Sequence, residues 1–84
     1  MHSTRFNRPV ILTRHARQRM ELRSITLVEL LLVIDTGETR YKDETHLWAS
    51  KQLDGRHDNL ICAVLVLEGA VVVKTVMHHF TLEG

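Results

Sequence analysis

The sequence predicts an α+β domain, two N-terminal helices packed on a three- or four-stranded antiparallel β-meander, and three observations lead to it. Between Thr13 and Ile34 the apolar residues recur at helical spacing, interrupted once at Ser24. After Thr39 the β-prone runs are separated by Asp54-Gly55 and Glu68-Gly69, pairs that favour hairpin turns. With 84 residues and 44% hydrophobic content, the chain is long enough for one domain with a small core.

Residues 1 to 8 show no periodicity and are expected as a flexible polar arm. Pro9 fixes the entry to a short extended piece, Val10, Ile11 and Leu12. The first helix is expected at about 14 to 23, with Thr13 as its N-cap. Ala16 and Met20, four apart, form a narrow apolar face, while His15, Arg19 and Arg23 form a second row at the same spacing. Thr26 followed by Glu29 is a capping box, and Ile25 can staple onto Leu30. The second helix, to about residue 36, is apolar nearly all round and should be the more buried, closing at Gly37 in a left-handed cap. The helical pair thus spans 13–36 and the sheet 39–80, with a first strand at Thr39 to Lys42 and others at about 46 to 53, 57 to 67 and 70 to 79.

Two-residue hairpin loops would place Leu53 opposite Arg56, Lys51 opposite Asp58 and Trp48 opposite Ile61. They would also place Val66 opposite Val71, Val64 opposite Val73 and Cys62 opposite Thr75. Alternation then puts Leu47, Ala49, Cys62, Val64, Val66, Val71 and Val73 beneath the helices. Trp48, Ile61, Leu65, Val72 and Val76 fall on the outer face, an apolar patch suited to a partner or a second copy.

The longest apolar run, Leu60 to Leu67, is eight residues, short of the roughly 20 that span a bilayer, so no membrane partner is expected. The apolar stretch after Arg5 and Arg8 is too short for a secretory signal, and the single cysteine, Cys62, reads as a small buried hydrophobe in a reducing cytoplasm. The net charge of +1 conceals an asymmetry: residues 5 to 23 hold six arginines against Glu21, and residues 24 to 84 hold five bases against nine acids. Arginine's planar fork suits phosphate, so the N-terminal helix is a field for an anionic partner. The six histidines lack metal-ligand spacing, since His78 and His79 are neighbours on a strand and point apart; no metal or cofactor is expected. Cys62 faces the core and no serine sits at a Gly-flanked turn, which disfavours nucleophilic catalysis. Acid–base chemistry on RNA remains. It needs a base, an acid and cations at phosphorus, and His15, Arg19, Lys74 and His78 supply those types, with His46 a further histidine. Arg14, Arg17, Arg23 and Trp48 are candidates for holding nucleic acid.

The residues His15, Ala16, Arg19, Met20 and Arg23, then Ile25 and Gly37, then Val73, Thr75 and Val76 match the pattern of a known family. On these residues the chain resembles the small bacterial proteins called domain of unknown function 4258, which look related to the RelE and ParE type toxins. The resemblance implies a toxin-like fold and a ribonuclease acting on free RNA or on the ribosome, held in check by an antitoxin-like protein. The chain departs from the RelE-like pattern in ending Thr81-Leu82-Glu83-Gly84 without a basic C-terminal helix. ParE-like members share the fold without nuclease chemistry, so a non-catalytic module that dimerises or binds a protein through the outer sheet face is the alternative.

Overall fold

The computed structural model describes residues 1–53 and 60–80, with the backbone alone for Leu60 and residues 78–80. The elements are β1 (His2–Ser3), β2 (Arg8–Leu12), α1 (Arg14–Leu22), α2 (Leu27–Thr36), β3 (Glu38–Tyr41), β4 (His46–Lys51), β5 (Leu60–Leu67) and β6 (Val71–Phe80). The described strands form a six-stranded mixed sheet in the order β1-β2-β6-β5-β4-β3. β2 runs parallel to β6, with Val10 opposite Val71 and Leu12 opposite Val73, and the other neighbours are antiparallel. This corrects the expected architecture of two helices on a three- or four-stranded antiparallel meander, and with it the RelE/ParE-toxin-like fold. The sheet dominates, and it curls around α2, which touches both β1 and β4. The physical reason is the short reach of local signals. Five residues of β2 show too little alternation to declare a strand, and a parallel partner some sixty positions away leaves no turn between them to announce it.

The N-terminal residues are tied into the sheet. β1 and β2 form a hairpin whose loop places Asn7 at φ 52°, a left-handed conformation that asparagine tolerates. Asp35, in the last turn of α2, accepts from the hydroxyl of Ser3 at 2.6 Å and from the backbone N–H groups of Thr4 and Arg5 at 3.2 and 3.4 Å. Arg5 in turn donates through Nη1 to the carbonyls of Ile34 and Gly37, at 3.2 and 2.8 Å, satisfying acceptors that a helix end leaves open. Because Ser3 is fully buried, Asp35→Ala strands its hydroxyl. We expect urea unfolding to report a loss of about 1–2 kcal/mol, and an unchanged midpoint would show that the hairpin is held by its apolar contacts alone.

α1 ends as helices do when the chain must reverse: Ser24 is left-handed at φ 53°, its N–H bonds to Glu21 O, and Ile25 N–H bonds to Met20 O at 2.9 Å. Thr26 then opens α2 with both halves of its capping box formed. Ala16 and Met20 of α1 and Leu30, Val33 and Ile34 of α2 are buried against the sheet. Gly37 closes α2 in an extended conformation, φ −73° and ψ 166°, where a left-handed cap was expected. Glycine is needed there for space, since a Cβ would come within 2.7 Å of the Ser50 carbonyl oxygen and closer still to that of Val33.

The strand register also differs from expectation. Lys51 pairs with Ile61 and Trp48 with Val64, three positions from the expected partners. The expected pairs of Leu53 with Arg56 and of Lys51 with Asp58 involve residues 54–59, outside the described residues, although Lys51 opposite Ile61 already replaces the latter. Between β5 and β6 the turn holds three residues, not two, so Leu67 faces Val71. An odd shift moves side chains to the other face. Ile61, Leu65 and Val76, expected on an open outer patch, are therefore fully buried beside Leu47, Ala49 and Val73. Of that patch only Trp48, 44% exposed, and the half-buried Val72 remain outside.

Candidate functional site

Thr13 organises the corner where α1 meets β6. Its hydroxyl accepts from Ala16 N–H at 3.1 Å as the helix N-cap and donates to Lys74 O at 3.0 Å, while its own N–H donates to Val73 O at 3.1 Å. One residue thus starts the helix and pins it to the sheet. β6 is irregular at this point. Leu65 pairs with Val73 and the next residue back, Val64, pairs with Thr75, leaving Lys74 as the extra residue of a β-bulge. The bulge brings the Lys74 backbone against the N-terminus of α1 and leaves the lysine exposed.

Arg14, His15 and Arg17 occupy the first turn of α1, and that turn contains no acid. Cations there oppose the helix dipole, whose positive end lies at the N-terminus. Among the described residues none of Arg14, His15, Arg17 and Arg19 forms an ion pair with a carboxylate. His15 is exposed, and its Nε2 accepts from Arg19 Nε at 3.5 Å across one helical turn. The row expected from spacing is therefore formed, with Arg19 half-buried beneath the imidazole. Arg23, next on that row, is the half-buried C-cap residue of α1.

The remaining candidates lie elsewhere. Trp48 sits on β4, two strands from β6, on the face opposite the helices. His78 lies on β6, four residues beyond Lys74 and so about 13 Å away along the backbone; its side chain is outside the described residues. His46 is the first residue of β4, and its Nδ1 lies 2.9 Å from Oδ1 of Asp43 in the preceding loop. That contact, with further hydrogen bonds from the backbone N–H groups of Thr45 and His46, holds the Asp43 carboxyl well below the usual carboxylate range. The depressed value means that the loop's stabilisation is present at neutral pH and is lost as pH falls through the acidic range.

Cys62 is fully buried, and burial pushes its thiol from 9.0 up to about 11. Little thiolate exists at pH 8, so labelling by a disulfide reagent should be slow in native protein and complete in denaturant; fast native labelling would contradict the burial. Among the described residues no three His, Cys, Asp or Glu side chains gather as a metal site. No helix among them is long and apolar enough to cross a membrane.

The corner therefore combines a helix start, a set of cations with no carboxylate partner among the described residues, one histidine and a bulge lysine, the features of a site for an oxyanion. The family model described as domain of unknown function (DUF4258) matches residues 12–78, a span that contains the whole corner, and the chain belongs to that family. No curated protein and no solved structure matches the chain, and the likeness to RelE and ParE type toxins gains no support from these comparisons. Two features of the corner escaped sequence reasoning. Thr13 was legible as a cap but not as a clasp to β6, and Lys74 was legible as a basic strand residue but not as a bulge, because both depend on a pairing between β2, β5 and β6.

Proposed function

We propose that the α1 corner binds a phosphate group of RNA and catalyses metal-independent cleavage of the adjoining strand. The observation that carries this reading is the first turn of α1, which holds Arg14, His15 and Arg17 with no acid, against its own dipole. Such an arrangement costs stability in the empty protein and becomes favourable when an anion binds. In the reaction, the Arg19 Nε–H turns from His15 Nε2 to the phosphate, and the freed Nε2 takes the proton of the 2′-hydroxyl, whose oxygen attacks phosphorus. The bond from phosphorus to the 5′-oxygen breaks, and the Lys74 ammonium gives that oxygen its proton. The products are a 2′,3′-cyclic phosphate and a free 5′-hydroxyl. Arg19 and Arg14 hold the phosphate oxygens and stabilise the charge that builds on them.

The test is incubation of single-stranded RNA with the protein in excess chelator, followed by analysis of the ends. A 2′,3′-cyclic phosphate that disappears with His15→Ala is the expected result. Salt-sensitive binding without cleavage would leave the phosphate site and remove the catalysis, and absence of both would overturn the reading. Induced expression should slow growth if the activity is that of a toxin, with an antitoxin-like protein as the natural partner.

A further inference from the structure

A hollow of about 440 Å³ lies between the end of β2, α1 and the start of α2, within the range of small-molecule sites, about 300 to 1,000 Å³. Its apolar part is Leu12, Met20 and Ile25, with Leu27 on its wall, and Met20 and Ile25 belong to the buried core. Arg17 and Glu21 also line it. Both are exposed and stand one helical turn apart, yet neither side chain forms an ion pair or a hydrogen bond among the described residues. A cation and an anion thus edge an apolar hollow, each with its hydrogen-bonding groups open to a ligand. The hollow begins where the phosphate corner ends, since Leu12 directly precedes Thr13 and Arg17 shares the first turn of α1 with Arg14 and His15.

We infer that the hollow takes a guanine base of RNA beside the bound phosphate, with Glu21 and Arg17 reading its edge. The inference rests on the phosphate reading of the corner and adds a base preference to it. The two charges select the occupant. A carboxylate offers two acceptors side by side, and guanine is the RNA base that presents two adjacent donors, its N1–H and its N2 amine. The neighbouring O6 and N7 are adjacent acceptors that suit the planar fork of an arginine. Donor pair and acceptor pair follow one another around the guanine ring, as Glu21 and Arg17 follow one another on α1 at a four-residue spacing, about 5–6 Å between Cβ atoms. Adenine and cytosine would set a ring-nitrogen acceptor against the carboxylate beside their single amine, and uracil would set two carbonyls there around its one N–H. Leu12, Met20 and Ile25 supply an apolar surface for the ring face. Arg17 and Glu21 lie about 5 and 10 Å along the helix from Arg14, the reach of one nucleotide from its phosphate to the edge of its base.

The test is a titration, followed by NMR, with short uridine RNAs whose central position alone is varied to guanine, adenine or cytosine, all with 2′-methoxy groups that block cleavage. The guanine RNA should bind about tenfold or more tightly than the others and shift the methyl groups of Leu12, Met20 and Ile25. Glu21→Gln replaces one acceptor by an amide N–H that faces the guanine donors, and should cut the preference to about twofold or less. Equal affinity for all the RNAs would overturn the inference, and so would a guanine preference that survives Glu21→Gln. Free guanosine, which carries no phosphate, separates this inference from the reading it rests on. Guanosine that shifts the three methyl groups while no RNA moves the Arg14 and His15 amides supports the base site and overturns the phosphate reading. Methyl groups that stay still with guanosine and with every RNA overturn the base site, and shifts at the two amides would then leave the phosphate reading standing.

Discussion

Replacing His15 with alanine should lower RNA cleavage by about 100-fold or more, the usual share of a positioned acid–base group. Thermal stability should move by no more than about 0.5 kcal/mol, because the side chain is exposed. Among the described residues its contact is with Arg19 at 3.5 Å, and no buried partner is left stranded by its removal. Arg19→Ala should act differently. It removes a phosphate contact, so affinity for single-stranded RNA should fall and the slope of log K against log salt should flatten by about 0.7. Arg19→Lys restores the charge but not the planar fork, and should recover only part of the affinity. A structural role for the pair would instead lower stability by about 1 to 3 kcal/mol, with activity falling only in proportion to unfolding.

Gly37→Ala should be the most damaging single-methyl change in the molecule, costing about 3 kcal/mol in chemical denaturation. The added carbon meets two backbone carbonyls, of Val33 and Ser50, and neither is a side chain that could swing away. Relief requires moving the end of α2 relative to β4, and the Arg5 bond to the Gly37 carbonyl, at 2.8 Å, would shift with it. A variant within about 0.5 kcal/mol of wild type would show that helix and sheet part more easily than their packing implies.

These expectations rest unequally on what the sequence shows. Helix starts were legible because their signals are local: Thr13 and the Thr26–Glu29 box act within three residues, and both formed. The His15–Arg19 row was legible for the same reason, from the helical repeat alone. The sheet was not. Its order depends on β2 pairing with β6, and its inner face depends on a register that departs from two-residue turns by one position at Leu67 and three at Trp48. Alternation is blind to which parity is buried, so Ile61 and Leu65 were placed outside although both are fully buried. The site inherits this division. Its helical half was visible in the sequence, while the bulge that carries Lys74 to the same corner exists only once three distant strands have met.

The proposed site requires an RNA phosphate at the start of α1. Its most direct test is a heteronuclear NMR titration with a short single-stranded RNA at low salt. Shifts should concentrate on the amides of Arg14, His15 and Lys74 and on the Arg19 Nε–H, and should fade as salt is raised. Shifts confined to the opposite face of the sheet, around Arg40 and Trp48, or no shifts at all at low salt, would contradict it.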